Sequence, residues 1–126
     1  MNRRGREIAE RVAERRRREE AAPALSSIVP ELAQLDMNIE ERRAGTKLLE
    51  STHIRRVVVE HARALFVLPC GDRACKEGGH DITAEVLHAL RAGKNEFEGE
   101  DPCVGQTGSA SCQRVLRYVA HAEYRS

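Results

Sequence analysis

The chain has 126 residues, of which 40% are hydrophobic and only 3% aromatic, and its formal net charge at pH 7 is +1. This length suits one compact domain with an appendage, and the scarcity of rings leaves a modest core of aliphatic side chains. The near-neutral total argues against a broad polyanion-binding surface, and no stretch reaches the roughly 18 apolar residues that a membrane-spanning helix needs. The first twenty residues lack the apolar region of a secretory signal, so we expect a soluble, cytoplasmic protein without membrane contact.

The positive charge is concentrated at the N-terminus. Residues 1–22 contain eight arginines and five acids, which gives +3. Arg, Glu and Ala favour a helix, and Glu14 precedes Arg18 by the four residues of a helical ion pair. Pro23 ends this pattern. We therefore predict a basic helical arm over residues 1–22 and a linker or extended docking segment over residues 23–31.

The arginines of this arm are the candidate partner-binding residues: Arg11, Arg15, Arg16, Arg17 and Arg18. They can neutralise phosphates with release of counterions, or contact an acidic protein surface. They can also pair with the intervening glutamates as a solvated helix. The alternating acids weaken the phosphate interpretation, and the scarcity of aromatic residues argues against base stacking. Nucleic acid, a protein partner including a second copy of this chain, and a solvated helix all stay open.

Strand patterns dominate the rest of the chain. Residues 35–40 alternate apolar and polar side chains, which indicates a half-buried strand, and a turn is predicted over residues 44–46. The β-branched run over residues 53–68 predicts further strand, with an interruption at 60–63. Residues 95–98 suggest a short strand. Residues 113–125 fit either a strand or a helix, and the alternation favours the strand.

One helix is predicted over residues 82–91. Asp81 is placed to cap its N-terminus, and Gly93 follows its end as a C-terminal cap residue. Its apolar face consists of Ile82, Val86, Leu87 and Leu90. The sequence thus predicts an α+β domain over residues 32–126. It combines a small antiparallel sheet of three to four strands, one packed helix and a zinc site at one end.

Four cysteines make up the clearest chemical pattern. They form two pairs, Cys70-x4-Cys75 and Cys103-x8-Cys112. In a reducing compartment they are thiols or thiolates, and zinc favours four such sulfurs in a tetrahedron. The first pair resembles a zinc knuckle at the wide end of the usual spacing. We predict that these four cysteines bind one structural Zn²⁺; unliganded buried thiols and disulfide or redox chemistry are the alternatives.

His80 lies between the two cysteine pairs, behind two glycines. Three roles are open for it. It can replace one cysteine as a metal ligand, it can hydrogen bond to a thiolate from outside the ligand set, or it can lie exposed on the surface.

The sequence therefore predicts a non-enzymatic zinc-binding module whose basic N-terminal helix contacts a partner. The preferred partner is nucleic acid, within a ribonucleoprotein or transcription assembly, and the alternative is a protein-protein assembly module. A zinc-dependent hydrolase or deaminase is the remote third class. Pro69–Cys70 and Cys75, with His121–Ala122–Glu123, share residue types with the deaminase signature, but the order is reversed and the cysteine spacing differs.

Overall fold

The computed structural model describes residues 3–45, 49–72, 74–76 and 78–125. Of the turn predicted at 44–46, the structure describes the first two residues, and the third lies outside the described ranges. Gly45 has a φ of 78°, a positive value typical of a turn glycine. Side chains of Arg3, Arg4, Glu7, Ile8 and Lys76 are likewise outside the description.

Three helices and nine strands are assigned in the described ranges. The helices are α1 (Arg3–Ala21), α2 (Leu25–Ile28) and α3 (Thr83–Arg91). The longer strands are β1 (Leu32–Arg43), β2 (Leu49–Val57), β6 (Glu96–Pro102) and β9 (Arg114–Tyr124). The two-residue strands are β3 (Val67–Leu68), β4 (Cys75–Lys76), β5 (His80–Asp81), β7 (Gln106–Thr107) and β8 (Ala110–Ser111).

The four longer strands form one antiparallel sheet in the order β2-β1-β9-β6. Successive side chains alternate between its faces, so Leu35 pairs with Ala122 and Met37 with Ala120 on the buried face. The α+β class and the four-stranded antiparallel sheet are confirmed. Residues 114–124 form a strand rather than a helix, as the alternation indicated.

Helix α3 belongs to the same core as the buried face of this sheet. Ile82, Val86 and Leu90 are buried there, and Leu87 packs at the border. Burial of such an apolar stripe is the main stabilisation available to a helix this short.

Gly93 follows the C-terminal end of α3 as predicted, whereas the N-cap residue is Ile82 and not the predicted Asp81. The Asp81 carboxylate accepts a hydrogen bond from the Thr83 N–H (3.1 Å), so the helix begins one residue later than predicted. Gly93 has a φ of 73°. The N–H groups of Gly93 and Lys94 then donate to Leu90 and Ala89 (3.0 and 3.1 Å), which satisfies the last carbonyls of the helix.

The β-rich run over 53–68 is not continuous. Strand β2 ends at Val57, the chain turns over 59–61, and strand structure returns only at Val67. The segment 23–31, predicted as a linker or docking segment, contains α2. Leu25 and Val29 of this segment are buried, and an i,i+4 pair of aliphatic residues explains why one helical turn can anchor it in the core.

Helix α1 is largely exposed. Val12 is 40% exposed, so the thin apolar stripe of the predicted arm is not buried at this residue. Glu14 pairs with Arg17 (2.7 Å) instead of Arg18, because Arg18 reaches Asp81 at 3.0 Å. This last contact joins α1 to the body near α3. None of the described helices is long and apolar enough to cross a bilayer.

Candidate metal centre

The four cysteines come together between the short strands. Cys70 follows β3, Cys75 begins β4, Cys103 follows β6 and Cys112 follows β8. All four sulfur atoms lie within 4.8 Å of one another, so the four residues form a group that can bind a metal ion. Two separate chain segments contribute two sulfurs each, as the sequence predicted.

The sulfur separations match a tetrahedral metal site. The Sγ atoms of Cys70 and Cys112 are 3.7 Å apart, and those of Cys75 and Cys103 are 3.6 Å apart. Four sulfurs bound about 2.3 Å from a central zinc ion would lie about 3.8 Å from one another. A disulfide would need about 2.05 Å, and all four cysteines are free.

Small hairpins explain how the unusual spacings close around one point. The eight residues between Cys103 and Cys112 form the β7–β8 hairpin, whose turn uses Gly108 at a φ of 64°. Strand β4 pairs with β7, which brings Cys75 to the same place. The Cys112 N–H donates to the carbonyl oxygen of Gly105 (2.9 Å) and closes the loop. The long second spacing is therefore a hairpin and not a loose loop.

Backbone amides donate to the sulfur atoms. The N–H groups of Gly79 and Gly105 both donate to Cys103 Sγ at 3.4 Å. Burial raises the pKa of the Cys103 thiol, but these two bonds together with hydrogen bonds from Cys75 and Cys112 outweigh burial, and the net pKa is lowered. Burial raises the pKa of Cys70, and raises that of Cys75 to about 11. A bound cation would favour all four thiolates.

Two glycines allow this close approach. A Cβ at Gly78 would lie 2.5 Å from Cys103 Sγ and would also collide with the sulfur of Cys75. A Cβ at Gly105 would collide with the same Cys75 sulfur and with the backbone of Gly78. Any larger residue at either position must displace the sulfurs.

A buried carboxylate joins the first cysteine pair to the sheet. Glu41 is only 5% exposed, and its Oε2 accepts hydrogen bonds from the Gly71 N–H (3.1 Å) and the Arg114 guanidinium (3.2 Å). Glu41 is not among the site residues predicted from the sequence. Its signal was present, because Glu41 continues the inward-facing series of Met37 and Ile39 with a charge that must find a partner.

His80 lies outside the four-sulfur group. It is 1% exposed, so the surface interpretation is wrong. Strand β5 places its Nδ1 3.0 Å from the Asp101 carboxylate, and its Nε2 has no hydrogen-bond partner among the described residues. The ring therefore makes no hydrogen bond to a cysteine sulfur. In this structure its polar contact is with β6.

The remaining candidate residues lie elsewhere. His121 is half-exposed on β9 and has Glu96 and Glu123 within 3.8 Å and 3.6 Å, so the His-Ala-Glu segment is not part of the sulfur group. On α1, Arg17 and Arg18 have the acidic partners given above. With the side chains that the structure describes, Arg11, Arg15 and Arg16 form no ion pair.

Comparison of the chain with protein-family models, curated proteins and solved structures gives no significant match. Two features of the chain itself therefore remain as indications of its function. These are the four-sulfur group and the arginines of α1.

Proposed function

We propose that this protein is a non-enzymatic binding module with one structural zinc ion, and that the exposed arginines of α1 contact nucleic acid. The observation that carries the nucleic-acid interpretation is that several exposed arginines of α1, among them Arg11, Arg15 and Arg16, form no ion pair with a described side chain. The proposal places the protein in the reducing cytoplasm, where its thiols stay available for a metal.

Zinc is the metal that this donor set favours. Soft thiolates select zinc over calcium or magnesium, and tetrahedral four-sulfur sites are typical of structural zinc. Catalytic zinc usually has three protein ligands and an open position for water. Four cysteine ligands fill the coordination sphere, which supports a structural role and argues against a hydrolase or deaminase.

The arginines supply the chemistry that phosphates require. A guanidinium stays charged at neutral pH and can form two parallel hydrogen bonds to a phosphate. Glutamates on the same helix reduce its net positive charge. We therefore expect contacts between individual arginines and phosphates instead of binding to a broad basic surface. The unpaired arginines would then be the ones that neutralise phosphates.

The exposed sheet edge supports the alternative, a protein-protein assembly module. Within the described residues strand β2 pairs with β1 alone, and its Ile54 is 78% exposed. An unpaired edge can accept a strand from a second copy or from another protein. Size measurement by light scattering over a range of concentrations tests this alternative, and Ile54→Lys should abolish any dimer found.

Binding of labelled nucleic acid at several salt concentrations tests the main proposal. We expect Arg16→Ala to lower the affinity and to reduce the salt slope by up to about one unit, as for one lost phosphate contact. Arg91→Ala is the matched control, because Arg91 is an exposed arginine at the end of another helix, α3. Equal effects of the two changes, or no binding at low salt, would contradict the proposal.

Deletion of residues 1–22 tests whether the arm is separable from the folded body. We expect zinc content and the unfolding transition of the body to change little, because the described part of α1 has little apolar burial. Nucleic-acid binding should be lost. Unfolding or aggregation of the shortened chain would show that α1 belongs to the core.

A further inference from the structure

A groove of about 310 Å³ lies between α1 and the segment that leads into the first cysteine pair. The side of the groove formed by α1 has four charged residues: Arg11, Glu14, Arg15 and Arg18. The facing side is mostly apolar and consists of Leu65, Val67, Leu68, Pro69, Gly78 and Gly79. The groove thus combines a charged rim with an apolar floor.

The rim has two positive charges without acidic partners. Arg18 pairs with Asp81, and Glu14 pairs with Arg17. Arg11 and Arg15 are left, with no ion pair to any described side chain. They are four residues apart on the same face of α1, which separates them by about 6 Å along the helix axis. This spacing suits successive phosphates of one strand.

The apolar floor determines which chemical group a ligand must carry besides an anionic group that binds the two arginines. Leu65 and Val67 are half-buried and Pro69 is exposed, so aliphatic surface faces the groove. The volume is at the lower end of the range for small-ligand sites, roughly 300–1,000 Å³. A ligand that fits is therefore small, flat or apolar in one part, and anionic in another. One nucleotide has all of these properties.

We propose that this groove binds one unstacked base of a single-stranded nucleic acid, RNA or DNA, with the adjoining phosphates on Arg11 and Arg15. The inference rests on the proposed function and narrows it from nucleic acid to single strands. A base in a duplex is stacked and paired and cannot enter the groove. A duplex can contact exposed arginines of α1 such as Arg16, but it cannot place a base on the apolar floor.

The test compares labelled 20-nucleotide single strands of RNA and DNA with a duplex of the same sequence, by fluorescence anisotropy with the full zinc-loaded chain. We expect both single strands to bind at least about tenfold more tightly than the duplex, because contact with the aliphatic floor removes one base from water and a paired base cannot make that contact. Val67→Glu places a negative charge in the floor and should remove this preference. Val58→Glu makes the same change at an exposed valine outside the groove and should leave it intact.

Leu65→Gln is a milder change in the same floor and should also reduce the preference for single strands over the duplex. It serves as the test variant if Val67→Glu fails to fold. Arg16→Ala should weaken single strands and duplex alike. Equal binding of single strand and duplex, or equal effects of Val67→Glu and Val58→Glu, would overturn the groove proposal while leaving the proposed function in place. Displacement of the single strand by poly-glutamate of equal charge would overturn it in favour of an acidic protein partner. No binding to either nucleic acid would overturn both proposals.

Discussion

Replacement of Glu41 by glutamine tests how the metal centre is joined to the sheet. The change keeps the size of the side chain but removes its charge, and an amide replaces the carboxylate that accepts from Gly71 and Arg114. Arg114 is 15% exposed, and its next carboxylate, Glu50, is 3.9 Å away. Removing one partner of a buried ion pair costs about 3–5 kcal/mol. Because Arg114 stays in partial contact with solvent and still has Glu50 nearby, we expect the free energy of unfolding to fall by the smaller amount of about 2–3 kcal/mol.

The same change should weaken zinc binding about tenfold, because Gly71 follows the ligand Cys70 directly and its amide would lose a strong acceptor. Urea unfolding followed by circular dichroism measures the first effect, and competition with a chelating dye measures the second. Glu40→Gln is the control, because Glu40 is the neighbouring residue on β1 and pairs with Arg42 in a more exposed position. The control should cost less than about 1 kcal/mol. Equal losses for the two variants, or unchanged zinc affinity in Glu41→Gln, would refute the reasoning.

Three further changes probe the cysteine site. Gly78→Ala places a methyl group against the sulfurs of Cys75 and Cys103, and should lower zinc affinity at least about tenfold in the dye assay. His80→Ala should leave one zinc per chain while lowering the free energy of unfolding by about 1–3 kcal/mol, since Asp101 loses its partner; zinc loss as large as in Cys75→Ala would instead identify a ligand. The raised pKa values of Cys70 and Cys75 mean that zinc must displace at least two protons near neutral pH. Apparent affinity, measured between roughly pH 6 and pH 8, should therefore rise by at least about 100-fold per pH unit, and a clearly smaller rise would disagree. In the metal-free protein a higher pH should instead lower the free energy of unfolding. The neutral Cys75 thiol stabilises the fold, and this contribution is lost as the pH rises through its pKa of about 11.

The features that could be predicted from the sequence are those encoded by neighbouring residues. Helix α3 follows from its apolar stripe between Asp81 and Gly93, and the strands follow from alternation at Met37 and Tyr118. The grouping of the four cysteines follows from the preference of zinc for paired thiolates. In the helix and the strands, the spacing of apolar residues along the chain matches the face that the fold buries.

The features that were missed depend on contacts between distant segments. Val58 and Val59 have strand-forming side chains, yet the chain turns there and β2 ends at Val57. Leu25 is buried because its N–H donates to the Ala62 carbonyl (2.9 Å), a contact that no local pattern shows. The burial of His80 likewise depends on Asp101, 21 residues further along the chain.

Metal analysis of the reduced protein tests the central claim most directly. Native mass spectrometry should show one zinc ion per chain, and X-ray absorption at the zinc edge should show four sulfur neighbours at about 2.3 Å. Each of Cys70→Ala, Cys75→Ala, Cys103→Ala and Cys112→Ala should lower the sulfur count or release the metal. A reduced chain without zinc, a nitrogen ligand in the coordination sphere, or disulfides among these four residues would contradict the account.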